Sequence, residues 1–279
     1  MSINSKVVLI VGASSGFGKA TAERLLELDC IVYATSRSVE KMQELLIKGA
    51  HLLGMDVTDD ASIIAGVEQI LAEQERIDVV FVNAGYGAYG TIESIATEEI
   101  QKQYDVNVFG VARVLKAVLP TLRQQKSGRI IFTASLASHL SIACTGWYAS
   151  TKHALVGIAK ALRQEVRDMG IEVIIIEPGV VKTEFAGVAF GLLDRVDHPA
   201  DYLPLVDGFR RSMARSYDQA PGVDSTVKAM VAAAMVKCPK TVYCTTVDAK
   251  ILKFLQRLLS DLIVDWLVLS WFKQSSRKR

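Results

Sequence analysis

Residues 6–20, "KVVLIVGASSGFGKA", pass from a run of five apolar residues directly into a loop carrying Gly12, Gly16 and Gly18, and from there into a helical pattern. A buried strand that delivers a glycine loop to a helix N-terminus is suited to holding phosphate. Gly12 allows the tight turn, Gly16 lets backbone N–H groups come close, and Gly18 permits close helix packing, with Ser14, Ser15 and Phe17 completing the loop. The spacing is G-x3-G-x-G rather than G-x-G-x-x-G.

Further strand-like runs follow at 30–35, 51–55, 78–82, 129–134 and 171–177, with a seventh, "TVYCTT", at 241–246. They are almost wholly apolar instead of alternating, as expected when helices cover both faces of a parallel sheet. Helical patterns fill the gaps at 16–28, 38–47, 59–75, 97–123 and 146–168. This order predicts an α/β chain, a Rossmann-type doubly wound parallel sheet with right-handed crossovers, in one domain over 1–247. In such sheets ligands sit beyond the carboxyl ends of the strands, so functional motifs should follow strands.

The chain has 279 residues, half of them hydrophobic and 22% charged, which suits a large packed core and excludes a disordered chain. A net charge of +2 gives no general attraction to nucleic acid, although the last seven residues, "KQSSRKR", are basic. Cys30, Cys144, Cys238 and Cys244 lack metal-type spacing and the four histidines are scattered, so no metal is expected. The apolar run before Gly12 is too short for a signal-peptide core. A cytoplasmic protein with free thiols is the expectation, with no membrane-spanning helix, since no stretch reaches about twenty uncharged apolar residues.

In "GWYASTKHALVGIAKAL" (146–162), Tyr148 and Lys152 stand four residues apart and so share a helix face. A phenol titrates near ~10 and becomes a useful acid or base near neutral pH when a neighbouring cation stabilises its phenolate. Alongside this pair come the glycine loop, "VNAG" (82–85), Asn107 in "DVNVFG", Ser135 thirteen residues before Tyr148, and "PGVVKT" (178–183). Together these motifs resemble the short-chain dehydrogenase/reductase family over residues 6–185, in its hydroxysteroid- and retinol-dehydrogenase-like branch. Val11 and Val82 depart from the family's usual Thr and Asn at supporting positions.

The resemblance implies a role for each residue. Tyr148 would exchange a proton with the substrate oxygen while hydride moves between substrate carbon and nicotinamide. Lys152 would lower the phenol's pKa and hold the cofactor ribose. Ser135 would orient the carbonyl, with Ser138 as a competing serine read as a loop hydroxyl, and Asn107 would hold a water linking Lys152 to solvent. Asp56, followed by Val57, would accept from the adenine amino group, leaving the helix cap to Asp59 or Thr58. Asn83, Ala84 and Gly85 would line the adenosine ribose, and Pro178, Gly179, Val181 and Thr183 the nicotinamide. An NAD enzyme usually ends its second strand in a carboxylate, whereas here Ser36 and Arg37 stand there, which favours the phosphate of NADP(H) over NAD(H).

Residues 184–220 mix aromatic and aliphatic residues with charge and occupy the family's lid position, pointing to a lipophilic alcohol or ketone such as a steroid, a retinoid or a keto-lipid. A 3-ketoacyl reductase and a non-catalytic NADP(H)-binding sensor or scaffold are the alternatives. Helices 97–123 and 146–168 carry apolar residues on more than one face, which predicts a homo-oligomer, a dimer or tetramer. Residues 248–279 read as one amphipathic helix with a basic tail. Its polar stripe is Lys250, Lys253, Arg257, Asp261 and Asp265, and its apolar stripe Leu252, Leu255, Leu259, Leu262, Trp266 and Leu269. That apolar stripe either packs on the lid or a neighbouring subunit, or makes peripheral contact with a membrane surface.

Overall fold

The seven apolar runs form one parallel sheet of β1 (Val7–Val11), β2 (Ile31–Ser36), β3 (His51–Gly54), β4 (Val79–Val82), β5 (Gly128–Thr133), β6 (Ile171–Glu177) and β7 (Val242–Cys244), in the order β3-β2-β1-β4-β5-β6-β7. This computed structural model describes residues 5–256 and 258–277, with side chains through Gln274. Strand β1 pairs on both sides, Val8 opposite Val32 of β2 and opposite Val79 of β4. The chain reverses its winding direction at this pair, so a crevice opens beyond Val11 and Val82.

Helices cover both faces, which explains why the strands are apolar throughout. One face takes Ile63, Val67 and Ile70 of α3 (Asp60–Gln74), Val114 and Val118 of α5 (Gly110–Gln125), and Leu155 and Ala159 of α6 (Gly146–Glu165). The other takes Ala22 and Leu25 of α1 (Gly16–Leu26), Leu45 of α2 (Gln43–Ile47), and Met230 and Ala233 of α9 (Asp224–Met235). Asp59 caps α3, its carboxylate accepting from the Ala61 N–H at 2.9 Å. The helix predicted at 97–123 is helical throughout, as α4 (Thr97–Tyr104), a wide π turn over Asp105–Phe109, and α5.

Helices α7 (Phe185–Leu193) and α8 (Leu203–Gln219) form the lid, and the segment beyond β7 folds onto it. That segment is two helices, α10 (Val247–Gln256) and α11 (Asp261–Arg277), where the sequence predicts one. The Ser260 carbonyl accepts from the N–H groups of Ile263 and Val264, so a new helix begins there, and Ser followed by Asp is a favoured start. The break changes the phase of the pattern. Val268, Trp271 and Phe272 pack on α8, with Phe272 edge-on to Phe209 at 5.8 Å, while the predicted stripe residues Leu262, Trp266 and Leu269 are exposed. Of the predicted polar stripe, Arg257 lies outside the described residues, as do the side chains of the basic tail after Gln274. No described helix is long and apolar enough to cross a membrane.

Candidate active site

The glycine loop is built into the crevice by contacts that tolerate nothing larger. Gly12 has φ +88, and a Cβ on it would lie 2.7 Å from Cα of Ala84; one on Gly18 would collide with the Gly12 carbonyl oxygen. That same oxygen accepts from Asn83 Nδ2 at 2.8 Å, and Asn83 Oδ1 accepts from Thr133 Oγ1 at 3.0 Å. Asn83 thus ties together the ends of β1, β4 and β5, beneath the place where a dinucleotide would lie.

Tyr148 and Lys152 stand on the first turns of α6, both buried. The Lys152 ammonium is 5.9 Å from the Tyr148 ring centre and donates to the Thr133 carbonyl at 2.9 Å. Burial alone lowers Lys152 to about 8. Burial raises the Tyr148 phenol well above its ordinary value and a hydrogen bond from Ser135 pulls it partly back, so the phenol is a neutral donor at physiological pH. Ser135 caps a short turn, its hydroxyl oxygen accepting from the Ala137 N–H at 3.1 Å, and Ser138 is buried with its hydroxyl turned to the Ser135 backbone.

Asn107 lies in the π turn. Its side chain clamps Tyr86 from both sides, donating to the carbonyl at 2.8 Å and accepting from the N–H at 3.0 Å, and it also donates to Thr151 Oγ1 at 3.1 Å. This clamp brings it against Gly85, where a Cβ would meet both Asn107 Oδ1 at 3.0 Å and Lys152 Nζ at 3.7 Å.

A cleft of about 1750 Å³ joins these parts. That exceeds the ~300–1,000 Å³ usual for one small ligand, so a dinucleotide and a substrate can share it. Every predicted site residue lines it except Gly18, Asp56 and Asn107, which stand behind its wall. Asp56 turns its carboxylate to the N–H and hydroxyl of Thr58, at 2.9 and 2.7 Å; desolvation opposes its ionisation, but these hydrogen bonds outweigh it and lower its pKa. Met55, Val57 and Thr58 form the wall there instead.

The short chain dehydrogenase family pattern matches residues 6–190. The chain belongs to this family. Its sequence is 42% identical over 180 residues to a 3-ketodihydrosphingosine reductase of Bacteroides thetaiotaomicron, a match covering 64% of this chain and 65% of that relative. It is 34% identical over 193 residues to an NADPH-dependent 3-dehydrocapnine reductase of Ornithobacterium rhinotracheale, covering 66% and 68%. A solved short-chain dehydrogenase of Streptomyces avermitilis superposes with a TM-score of 0.83 at 29% identity, over 99% of both chains. The protein is thus a short-chain dehydrogenase/reductase, an oxidoreductase by family, whose solved neighbours include complexes with NAD and with NADP+.

Three features of this family member escape the sequence reading. Tyr89 is the hub of the substrate end, its ring edge-on to Tyr148, Phe185, Phe190 and Phe209 at 5.4–6.2 Å and its hydroxyl 3.3 Å from that of Tyr217. Glu177, buried at the end of β6, holds His139 at 2.8 Å and also Lys253 of α10. Burial opposes its ionisation, but those two partners bring its pKa down to about 2. Finally, the Gly179 and Val180 N–H groups donate to Thr246 Oγ1 and Asp248 Oδ2 at 3.0 and 3.2 Å, tying the "PGVV" loop to the start of α10. The one visible signal was a carboxylate closing the apolar run "IEVIIIE".

Proposed function

We propose that this chain is an NADP(H)-dependent reductase of a ketone on a lipophilic, long-chain molecule. The observation that carries the reading is the course of the cleft. From the Tyr148–Ser135 pair it continues past Tyr89, Phe185 and Leu192 to Val268 and Trp271 of α11, so a polar reacting end meets a long apolar wall. A long-chain ketone matches such a wall, and the two relatives above are named as reductases of 3-ketodihydrosphingosine and of 3-dehydrocapnine.

When bound, the reduced nicotinamide supplies hydride to the carbonyl carbon. Ser135 donates a hydrogen bond to the carbonyl oxygen and aims it at Tyr148. Tyr148 gives that oxygen its proton, turning the ketone into the alcohol, and the Lys152 ammonium stabilises the phenolate left behind until solvent returns a proton past Asn107. The cradle fits a dinucleotide at the Gly12 loop. Ser36 and the exposed Arg37 at the end of β2 suit a 2′-phosphate and leave no carboxylate to repel it.

The test is NADPH consumption with a panel of 3-keto long-chain amines, 3-ketoacyl thioesters, steroids and retinoids. Turnover fastest on the long-chain ketones supports the reading. Turnover only on steroids or retinoids rejects the substrate class, and none on any carbonyl favours a binding protein without catalysis.

A further inference from the structure

The reaction leaves unexplained a large apolar surface on the two C-terminal helices. On α11, Leu262, Trp266, Leu269 and Lys273 recur at i, i+4, i+7 and i+11 and make one face; Leu262 is 81% exposed and Trp266 66%. Helix α10 repeats the spacing with Val247, Ile251, Phe254 and, just past its end, Leu258, each more than half exposed. Asp261 and Asp265 fall on the flank of the α11 face, not its centre. The opposite side of α11 is already engaged with the lid through Val268, Trp271 and Phe272, so this helix is apolar on both sides.

The outer surface is continuous with the cleft. Leu252 and Leu267 line the catalytic cleft and are nevertheless 37% and 43% exposed. A second copy of the chain seated on these stripes would close over that gap. A lipid surface would not, because it could deliver an acyl chain through it. On the α11 face Lys273 follows the exposed Trp266, and the sequence goes on to Arg277, Lys278 and Arg279, a composition that suits anionic headgroups.

We propose that α10 and α11 dock on an anionic lipid surface, with Leu252 and Leu267 marking the gap through which a lipid chain passes toward Tyr148. The docking rests on the exposed stripes, the gap beside them and the basic residues that follow; the passage rests on the reductase reading above.

The experiment is co-sedimentation of the full chain with phosphatidylcholine vesicles, with and without phosphatidylglycerol, at low and high salt. Solution mass is measured by light scattering in parallel. The wild type should pellet with the anionic vesicles, less so at high salt, and its tryptophan emission should shift to the blue. Replacing two exposed side chains, Leu262→Ser with Trp266→Ser, should weaken partitioning by about tenfold or more while leaving melting temperature and solution mass unchanged. A wild type that stays in the supernatant with every vesicle overturns the docking. So does a double variant of lower solution mass, which would assign the face to a second copy. Neither measurement uses turnover, so docking and the reductase reading fail separately.

Discussion

At Tyr148, burial raises the phenol and the Ser135 hydroxyl draws it back, while the ammonium of Lys152 is held by the Thr133 carbonyl at 2.9 Å. Tyr148→Phe keeps the ring in its aromatic nest but removes the proton, so turnover should fall by about 10²-fold or more with NADPH affinity retained; near-native turnover would remove Tyr148 from the role of acid. Lys152, held down to about 8, loses its charge as pH rises through that value, and the support for the phenolate goes with it. The kcat for ketone reduction should therefore decline above about pH 8, and a profile flat into the lysine range near ~10.4 would contradict this. Arg37→Asp, at the rim of the cleft, should reverse the ratio of NADPH to NADH affinity, which titration of both cofactors checks.

At the scale of elements, Glu177 joins β6, the turn that follows Ser135, and α10. Lys253→Met leaves its buried carboxylate short of a cation, and should lower stability by about 3 kcal/mol in chemical denaturation; an unchanged midpoint would show that α10 is held elsewhere. The sign of the pH effect follows from Glu177 being brought from 4.5 to about 2. A carboxylate with a depressed folded pKa stabilises above its unfolded value, so this contribution is lost as pH falls from about 4.5 toward about 2. Of this clasp only the carboxylate closing the apolar run was legible, because its partners lie 38 and 76 residues from Glu177 in the chain. The strands were legible, since a run such as "KVVLIV" has no other use than burial on both faces. So was the Tyr148–Lys152 face, which depends only on helical spacing. The π turn at Asn107 was not, because the extra residue is fixed by hydrogen bonds to the backbone of Tyr86, across a loop from it. The start of α11 at Ser260 was readable in principle, but the apolar residues run through it on both sides and hid the change of phase.

Across the whole molecule, one crevice at the switch of the sheet meets a lid and a C-terminal pair of helices that extend it with apolar wall. Helices α5 and α6 remain the surface on which a two-fold pairing is expected, with Phe109 exposed beside them. Light scattering at micromolar concentration should give a dimer or tetramer, and a monomeric mass would contradict that pairing. That the cleft brings a long apolar chain to Tyr148 is checked by kcat/KM for NADPH-dependent reduction along a series of ketones of increasing alkyl length. Each buried methylene is worth about 0.8 kcal/mol, so kcat/KM should climb by up to about fourfold per added carbon until the chain reaches the level of Leu252 and Leu267. A series in which kcat/KM is flat or falls from the shortest ketone onward would contradict the claim.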